Sequence, residues 1–421
     1  MGNAFDPAPR EYAAFVSTNR RTRRGAAAAP ASNTAAEVEA WLIHDAPKID
    51  DFLLLTEEFF WRIVATGAPL NRASVHVGTL HPQLAGYGWN WLSSDEILDE
   101  VIVDIRSRDQ DAFRKNPLFL AFEHGETVRA RPGDPATRER FPICVDLHEQ
   151  GVTDYIARPI GRGGSYHNAG TIGTFQKGGF TDAQIAEIQR FFDIFALHAE
   201  RHIEAMVARN VVGAYLGAGP GREVLDGAIR RGSGRSMEAV IWVSDLRGFS
   251  ERADRLSPGD VNAMLNLYFE AMSGAVLAHG GEVLKFIGDG LLAVFPMEDD
   301  PAGAAAASLA AAREAQAALD ALNAAPPADL VTEALPLASG VALHLGEVFF
   351  GNVGAPNRLD FTVIGRAVNE ASRVEALTKT LGASILLTER VRDLIEDQTL
   401  PDLGAHALRG VAAPVRIFSG V

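Results

Sequence analysis

Glu282-Val-Leu-Lys-Phe-Ile-Gly-Asp-Gly-Leu-Leu-Ala-Val-Phe295 reads as strand, tight turn, strand. Two apolar runs flank Gly288-Asp289-Gly290, a hairpin signal that leaves a carboxylate at its tip. A second stretch, Ala239-Val-Ile-Trp-Val-Ser-Asp-Leu-Arg-Gly-Phe-Ser250, is a buried strand that ends on Asp245. Carboxylates at the ends of adjacent strands suit one divalent cation, or two. A Gly-Asp turn alone is usually only a turn. The pair gains meaning from what accompanies it.

The chain has 421 residues, enough for two or three domains with sizeable cores. Hydrophobic content of 47% and charged content of 22% are those of an ordinary globular protein. A net charge of −15 argues against nucleic acid or an anionic membrane as partner. The single cysteine, Cys144, excludes an intrachain disulfide and fits a reducing compartment. No stretch offers the roughly 18 uncharged apolar residues of a membrane span, and no signal peptide is visible. A cytoplasmic location is expected.

Residues 1–36 are rich in Ala, Pro and Arg, and read as a flexible, solvated tail with a basic run at Arg20, Arg21, Arg23 and Arg24. Residues 37–180 read as a globular domain. Asp51 to Ala65 is an amphipathic helix with Phe52, Leu55, Phe59 and Ile63 on one face. Strands are predicted at Ala73–Leu80, Val101–Ile105, Leu118–Phe122, Val152–Ile160 and Gly170–Gln176. The closing order of strand, Gly-rich turn, strand and helix resembles the end of a GAF domain, with a PAS-like domain as the alternative. A sensor of that kind would take a small-molecule ligand, which nothing in the sequence identifies. His76, His81, His124, His148 and His167 lack metal-site spacing and read as surface or hydrogen-bonded residues. Trp61, Trp89 and Trp91 read as core, and Cys144 as a small buried thiol.

Residues 181–234 read as a helical connector and hinge. Thr181 is the predicted N-cap. Ile185, Ile188, Phe192, Phe195, Ala199, His202 and Met206 alternate at spacings of three and four, the seam of a short parallel coiled coil or, alternatively, a single-chain core face. Gly217-Ala-Gly-Pro-Gly221 breaks the helix, and Gly232-Ser-Gly-Arg is the hinge.

Residues 235–421 form the last domain. Ser257-Pro258 opens a helix that ends at Gly280-Gly281. An Ala-rich helix from Pro301 precedes two strands, Ser339–Leu345 and Glu347–Asn352. Leu359–Ile364 is a strand, Arg366–Lys379 a helix, Ser384–Leu387 a strand, Thr388–Ile395 a further segment, and a hairpin around Leu408–Phe418 closes the chain. Mixed strands with helices between them predict an α+β, ferredoxin-like sandwich.

Ser244-Asp-Leu-Arg-Gly-Phe-Ser250, Leu284-Lys-Phe-Ile-Gly-Asp-Gly290 and Phe361-Thr-Val-Ile-Gly-Arg-Ala-Val-Asn-Glu-Ala-Ser-Arg373 occur in that order. Together they closely resemble the class III nucleotidyl cyclases. The resemblance implies attack of a ribose 3′-hydroxyl on the α-phosphorus, with pyrophosphate leaving. It implies that Asp245 and Asp289, with the Leu246 carbonyl, hold two Mg²⁺ or Mn²⁺ ions, and it implies no organic cofactor. Backbone amides around Gly248 and Phe249 would cradle the triphosphate. Asn369 would hold the ribose and Arg373 the charge developing at phosphorus. Lys285 and Thr362 would select adenine, where guanylate cyclases usually carry glutamate and cysteine. Arg409 stands where the family commonly has a phosphate-binding lysine. The resemblance also implies that the site forms between two cyclase domains, hence a homodimer acting on ATP. The expected function is therefore an adenylate cyclase making 3′,5′-cyclic AMP, regulated by the N-terminal domain. A guanylate cyclase and a catalytically silent nucleotide-sensing module are the alternatives.

Overall fold

The computed structural model describes residues 10, 12–161, 168–298, 300–328, 330–396 and 399–421. The chain divides into two compact units, Met1–Val211 and Val212–Val421. No helix among the described residues is long and apolar enough to cross a membrane.

The first unit is built on an antiparallel sheet with the order β1-β4-β3-β2-β7-β6-β5. Its strands are β1 (Val16–Thr22), β2 (Arg72–Gly78), β3 (Leu84–Leu92), β4 (Ile97–Asp104), β5 (Val128–Ala130), β6 (Asp154–Pro159) and β7 (Asn168–Thr174). The helices α1 (Ala35–His44) and α2 (Phe52–Ala65) cover one face, α3 (Pro117–His124) lies beyond β4 in sequence, and α4 (Asp182–Leu216) returns to the core of α1 and α2.

Four expectations fail here, each for a physical reason. The segment expected to be a free tail supplies β1, which pairs with β4 from Val16 to Thr22. Its arginines meet acids far along the chain: Arg20 pairs with Asp51 and Glu100, Arg21 with Asp99, and Arg24 with Glu57. Those partners are invisible to a local reading of composition. Leu118–Phe122 is helical, not a strand, because Asn116 Oδ1 accepts the Leu118 amide and Pro117 sits in the first turn. β3 fell outside the predicted strands, its alternation blurred by Gly86 and Gly88.

The α4 stripe, expected as a coiled-coil seam, is a core face of its own unit. Ile188, Phe192, Phe195 and Ala199 are buried among α1, α2 and the sheet. Phe195 stacks on Phe59 at 4.2 Å, and Phe52 lies at 5.8 Å from it. A heptad-like period is common to a dimer seam and a helix packed on a curved core, so spacing alone could not separate them. At the start of α4, Thr181 and Gln184 form the expected cap, each side chain accepting the other's amide. Gly217 follows its end at φ 88°, and a short helix, Ala218–Leu225, comes next.

In the second unit the strands are β8 (Gly234–Leu246), β9 (Glu282–Ile287), β10 (Gly290–Pro296), β11 (Ser339–Ala355), β12 (Arg358–Ile364), β13 (Ile385–Thr388), β14 (Asp402–His406) and β15 (Val415–Ser419). The helices are α5 (Pro258–Ala278), α6 (Pro301–Ala324) and α7 (Arg366–Leu381). Strands run in the order β14-β15-β13-β11-β8-β10-β9, with β12 paired to β11. The inner order β11-β8-β10-β9, with α5 and α6 as crossovers, is the split βαβ arrangement predicted for a ferredoxin-like sandwich. Val240, Trp242, Val341 and Leu343 face α5 and α6. Ala239, Ile241 and Phe350 face the other layer, where Ala367 and Ala371 of α7 pack. Alternation along β8 thus buries both of its faces.

The two strands predicted for 339–352 are one. Gly346 stays in register opposite Ala239, so it does not interrupt β11. The closing hairpin is β14–β15, which leaves Leu408-Arg409-Gly410 in the connecting loop rather than in a strand. Within Thr388–Ile395, Glu389–Arg392 is helical.

Candidate active site

The site starts where β8 ends. Asp245 is the penultimate residue of β8, opposite Gly290 of β10 and Gly340 of β11. Asp289 lies in the two-residue turn between β9 and β10, after Gly288 at φ 62°, the left-handed conformation such a turn needs. Leu246 donates its amide to the Asp289 carbonyl at 3.2 Å, which ties the turn to the end of β8. The two carboxylates interact: burial, and then the Asp245 charge, hold the Asp289 carboxyl above its ordinary range. Such a pair favours a bound cation. Lys379 of α7 places Nζ 3.2 Å from Asp245 Oδ2 and supplies part of that charge. An all-oxygen donor set suits hard cations such as Mg²⁺ or Mn²⁺. Among the described residues, no group of three or more His, Cys, Asp or Glu side chains clusters as a metal site.

Lys285 stands on β9, and its ammonium donates to Asp360 of β12. Thr362 is two residues further along β12, on the same face as Asp360. Thr362 is 6% exposed, and its Oγ1 has no hydrogen-bond partner. A buried hydroxyl without a partner is costly in a folded chain.

Asn369 and Arg373 lie one turn apart on α7, which puts them on one face. Neither makes a side-chain hydrogen bond or ion pair among the described residues. Arg373 lies close to the loop after β14, since a Cβ on Gly410 would sit 3.7 Å from its guanidinium. Arg409 is exposed in that loop. Gly248, at φ 69°, precedes the short helix Phe249–Ala253, and Phe249 packs against the α5–α6 core.

Residues 233–414 match the family of adenylate and guanylate cyclase catalytic domains. The second unit carries a cyclase catalytic domain. An adenylate cyclase of Anabaena cylindrica is 38% identical over 164 residues, which cover 39% of this chain and 32% of that protein. The chain therefore spans about a third of that relative's length. A solved bacterial light-regulated adenylyl cyclase is 31% identical, over 44% of this chain and 90% of that one, at a TM-score of 0.38. The guanylyl cyclase Cya2 is also 31% identical, over 44% and 92%, at the same TM-score of 0.38.

Within this cyclase domain the structure adds three groups that the sequence motifs did not single out. Asp360 holds Lys285. Lys379 contacts Asp245. Glu375 is buried on α7, held by Thr378 Oγ1 at 3.2 Å, and burial with the nearby Asp245 charge raises its carboxyl. Their helical offset from Arg373 was readable, but not which face of α7 meets β8. In the first unit, the histidines are as expected where described. His76 bonds Ser74, His81 accepts the Gln83 amide, and His124 meets the Phe119 ring edge-on. His148 is exposed, and His167 lies outside the described residues. Cys144 is buried, which pushes its thiol up to about 11.

Proposed function

We propose that this chain is an adenylate cyclase, converting ATP to 3′,5′-cyclic AMP and pyrophosphate. The observation that carries the choice of ATP is the unpartnered, buried Thr362 hydroxyl beside the Lys285–Asp360 pair. A hydroxyl accepts from the exocyclic amine of adenine, and an ammonium donates to a ring nitrogen. Guanine presents a carbonyl at the amine's position, to which the hydroxyl could turn and donate, but an N–H at the ring nitrogen, which leaves the ammonium no acceptor.

Asp245 and Asp289, with the Leu246 carbonyl, would hold divalent cations, which would activate the ribose hydroxyl and neutralise phosphate charge. Arg373 stabilises the charge that grows at the α-phosphorus, and Asn369 orients the ribose. As the resemblance to cyclases implies, a second copy completes each site in a two-fold homodimer. Amides at Gly248 and Phe249, and Arg409, bind the triphosphate. The first unit acts as a GAF-like sensory domain that sets the activity through α4.

Purified full-length protein supplied with ATP or GTP, each with Mg²⁺ or Mn²⁺, tests the assignment. Cyclic AMP from ATP with little cyclic GMP is expected. Preferential cyclic GMP formation would sink the choice of base, and no cyclic product under any condition would sink the activity.

A further inference from the structure

The first unit contains a cavity that the cyclase reading does not use. Ala73, Val75 and Val77 of β2 point into the helical core, so alternation sends Ser74 and His76 to the opposite side of the sheet. There a cavity of about 280 Å³ is lined by Phe15, His76, Phe113, Leu118 and Phe122, with Arg108 among its lining residues. Most of its wall is apolar.

Two features give it chemical direction. The first is a buried polar chain: His76 Nε2 meets Ser74 Oγ at 2.9 Å, and Ser74 Oγ meets Thr171 Oγ1 at 2.6 Å. That leaves Nδ1 as the second ring nitrogen of His76. Burial lowers His76 to about 4, so the ring is neutral near pH 7. The second is Arg108, an exposed residue of the cavity lining that makes no ion pair among the described residues. Its acidic neighbours are engaged elsewhere, Asp104 by Arg106 and Asp109 by Arg114. An aromatic cavity with one neutral hydrogen-bonding group and one uncompensated guanidinium selects an apolar ring bearing a negative charge.

We propose that this cavity binds a small aromatic monocarboxylate, its ring among Phe15, Phe113 and Phe122 and its carboxylate on Arg108. The size agrees, since a cavity of about 150 Å³ already takes up benzene, and this one has room for a ring and a short chain. Binding here is independent of the cyclase chemistry, so its test stands apart from that reading.

Calorimetric titration of the full chain with 3-phenylpropionate is the experiment, with 3-phenylpropanol as the uncharged comparison. Saturable binding of the acid is expected, about tenfold tighter than the alcohol, as a charge-assisted hydrogen bond supplies. Arg108→Gln should remove that tenfold advantage and leave alcohol binding unchanged. Ala85→Leu, which fills the cavity, should abolish binding of both. If Ala85→Leu loses its native circular dichroism, Ala112→Phe, at another lining residue, is the second variant. No saturable heat with the acid overturns the site, and full binding by the filled variant overturns its location. Equal affinity for acid and alcohol in the unmodified chain overturns the anionic preference.

Discussion

Thr362→Val should make the protein more stable and a worse, less selective enzyme. Valine has nearly the shape of threonine, so the change removes the hydroxyl and little else. That hydroxyl is buried without a partner in the free chain. Leaving such a group unbonded costs about 1–3 kcal/mol, so its removal should return on the order of 1 kcal/mol. For a cooperative unit of this size, that raises the melting temperature by about 2–4 °C. ATP, by contrast, loses one hydrogen bond in the complex. A loss of about 1 kcal/mol in kcat/KM is roughly fivefold, whereas GTP, whose ring N–H already leaves the Lys285 ammonium without an acceptor, should be affected less. Scanning calorimetry of the nucleotide-free protein, with kcat/KM for both nucleotides, measures the two effects separately. A lower melting temperature would mean that the hydroxyl already has a structural partner. An unchanged ATP-to-GTP ratio would mean that it never meets the base.

Three further outcomes follow from the same structure. Asp289→Ala and Asn369→Ala should each be inactive or nearly so, while their co-expression returns about a quarter of wild-type cyclic AMP production, because half of randomly formed dimers are mixed and each has one intact site; a mixture as inactive as its parents, despite proven subunit exchange, would refute the shared site. The Asp289 carboxyl is raised in the fold, so its stabilising effect belongs to the protonated form and is lost as pH rises through the folded value. Asp289→Asn should therefore raise the melting temperature of the metal-free protein at neutral pH, with the gain vanishing below the usual carboxylate range; a lower melting temperature at neutral pH contradicts this. Phe195→Ala should destabilise the first unit by about 3–5 kcal/mol, equally at all protein concentrations, whereas a loss that depends on concentration would restore the coiled-coil reading of α4.

The second unit was legible because its determinants are local. The hairpin turn needs glycine at Gly288, α5 begins at a Ser257 cap, and the strand alternation that fixes β8 lies within a few residues. Asp245 and Asp289 could be paired in advance because adjacent strands bring their ends together. The errors concern partners far along the chain. Nothing near Arg20 says that Glu100 awaits it, and nothing in the α4 period says whether Phe195 faces Phe59 or another chain. Asp360 and Lys379 were missed for the same reason, as their contacts cross from β12 to β9 and from α7 to β8.

Asp245 has a glycine beside it on both neighbouring strands, and the one at position 340 governs more than the sheet. A Cβ there would fall 2.3 Å from Thr378 Oγ1 and 2.7 Å from Glu375 Oε1. The Thr378 and Glu375 side chains of α7 therefore rest directly on strand backbone, and their packing beside Asp245 depends on a missing methyl group. Gly340→Ala would act as a shim, lifting the helix by a fraction of an ångström and misaiming reactive groups that it does not touch. In a catalyst assembled this way, inactivating changes will include positions with no chemistry of their own.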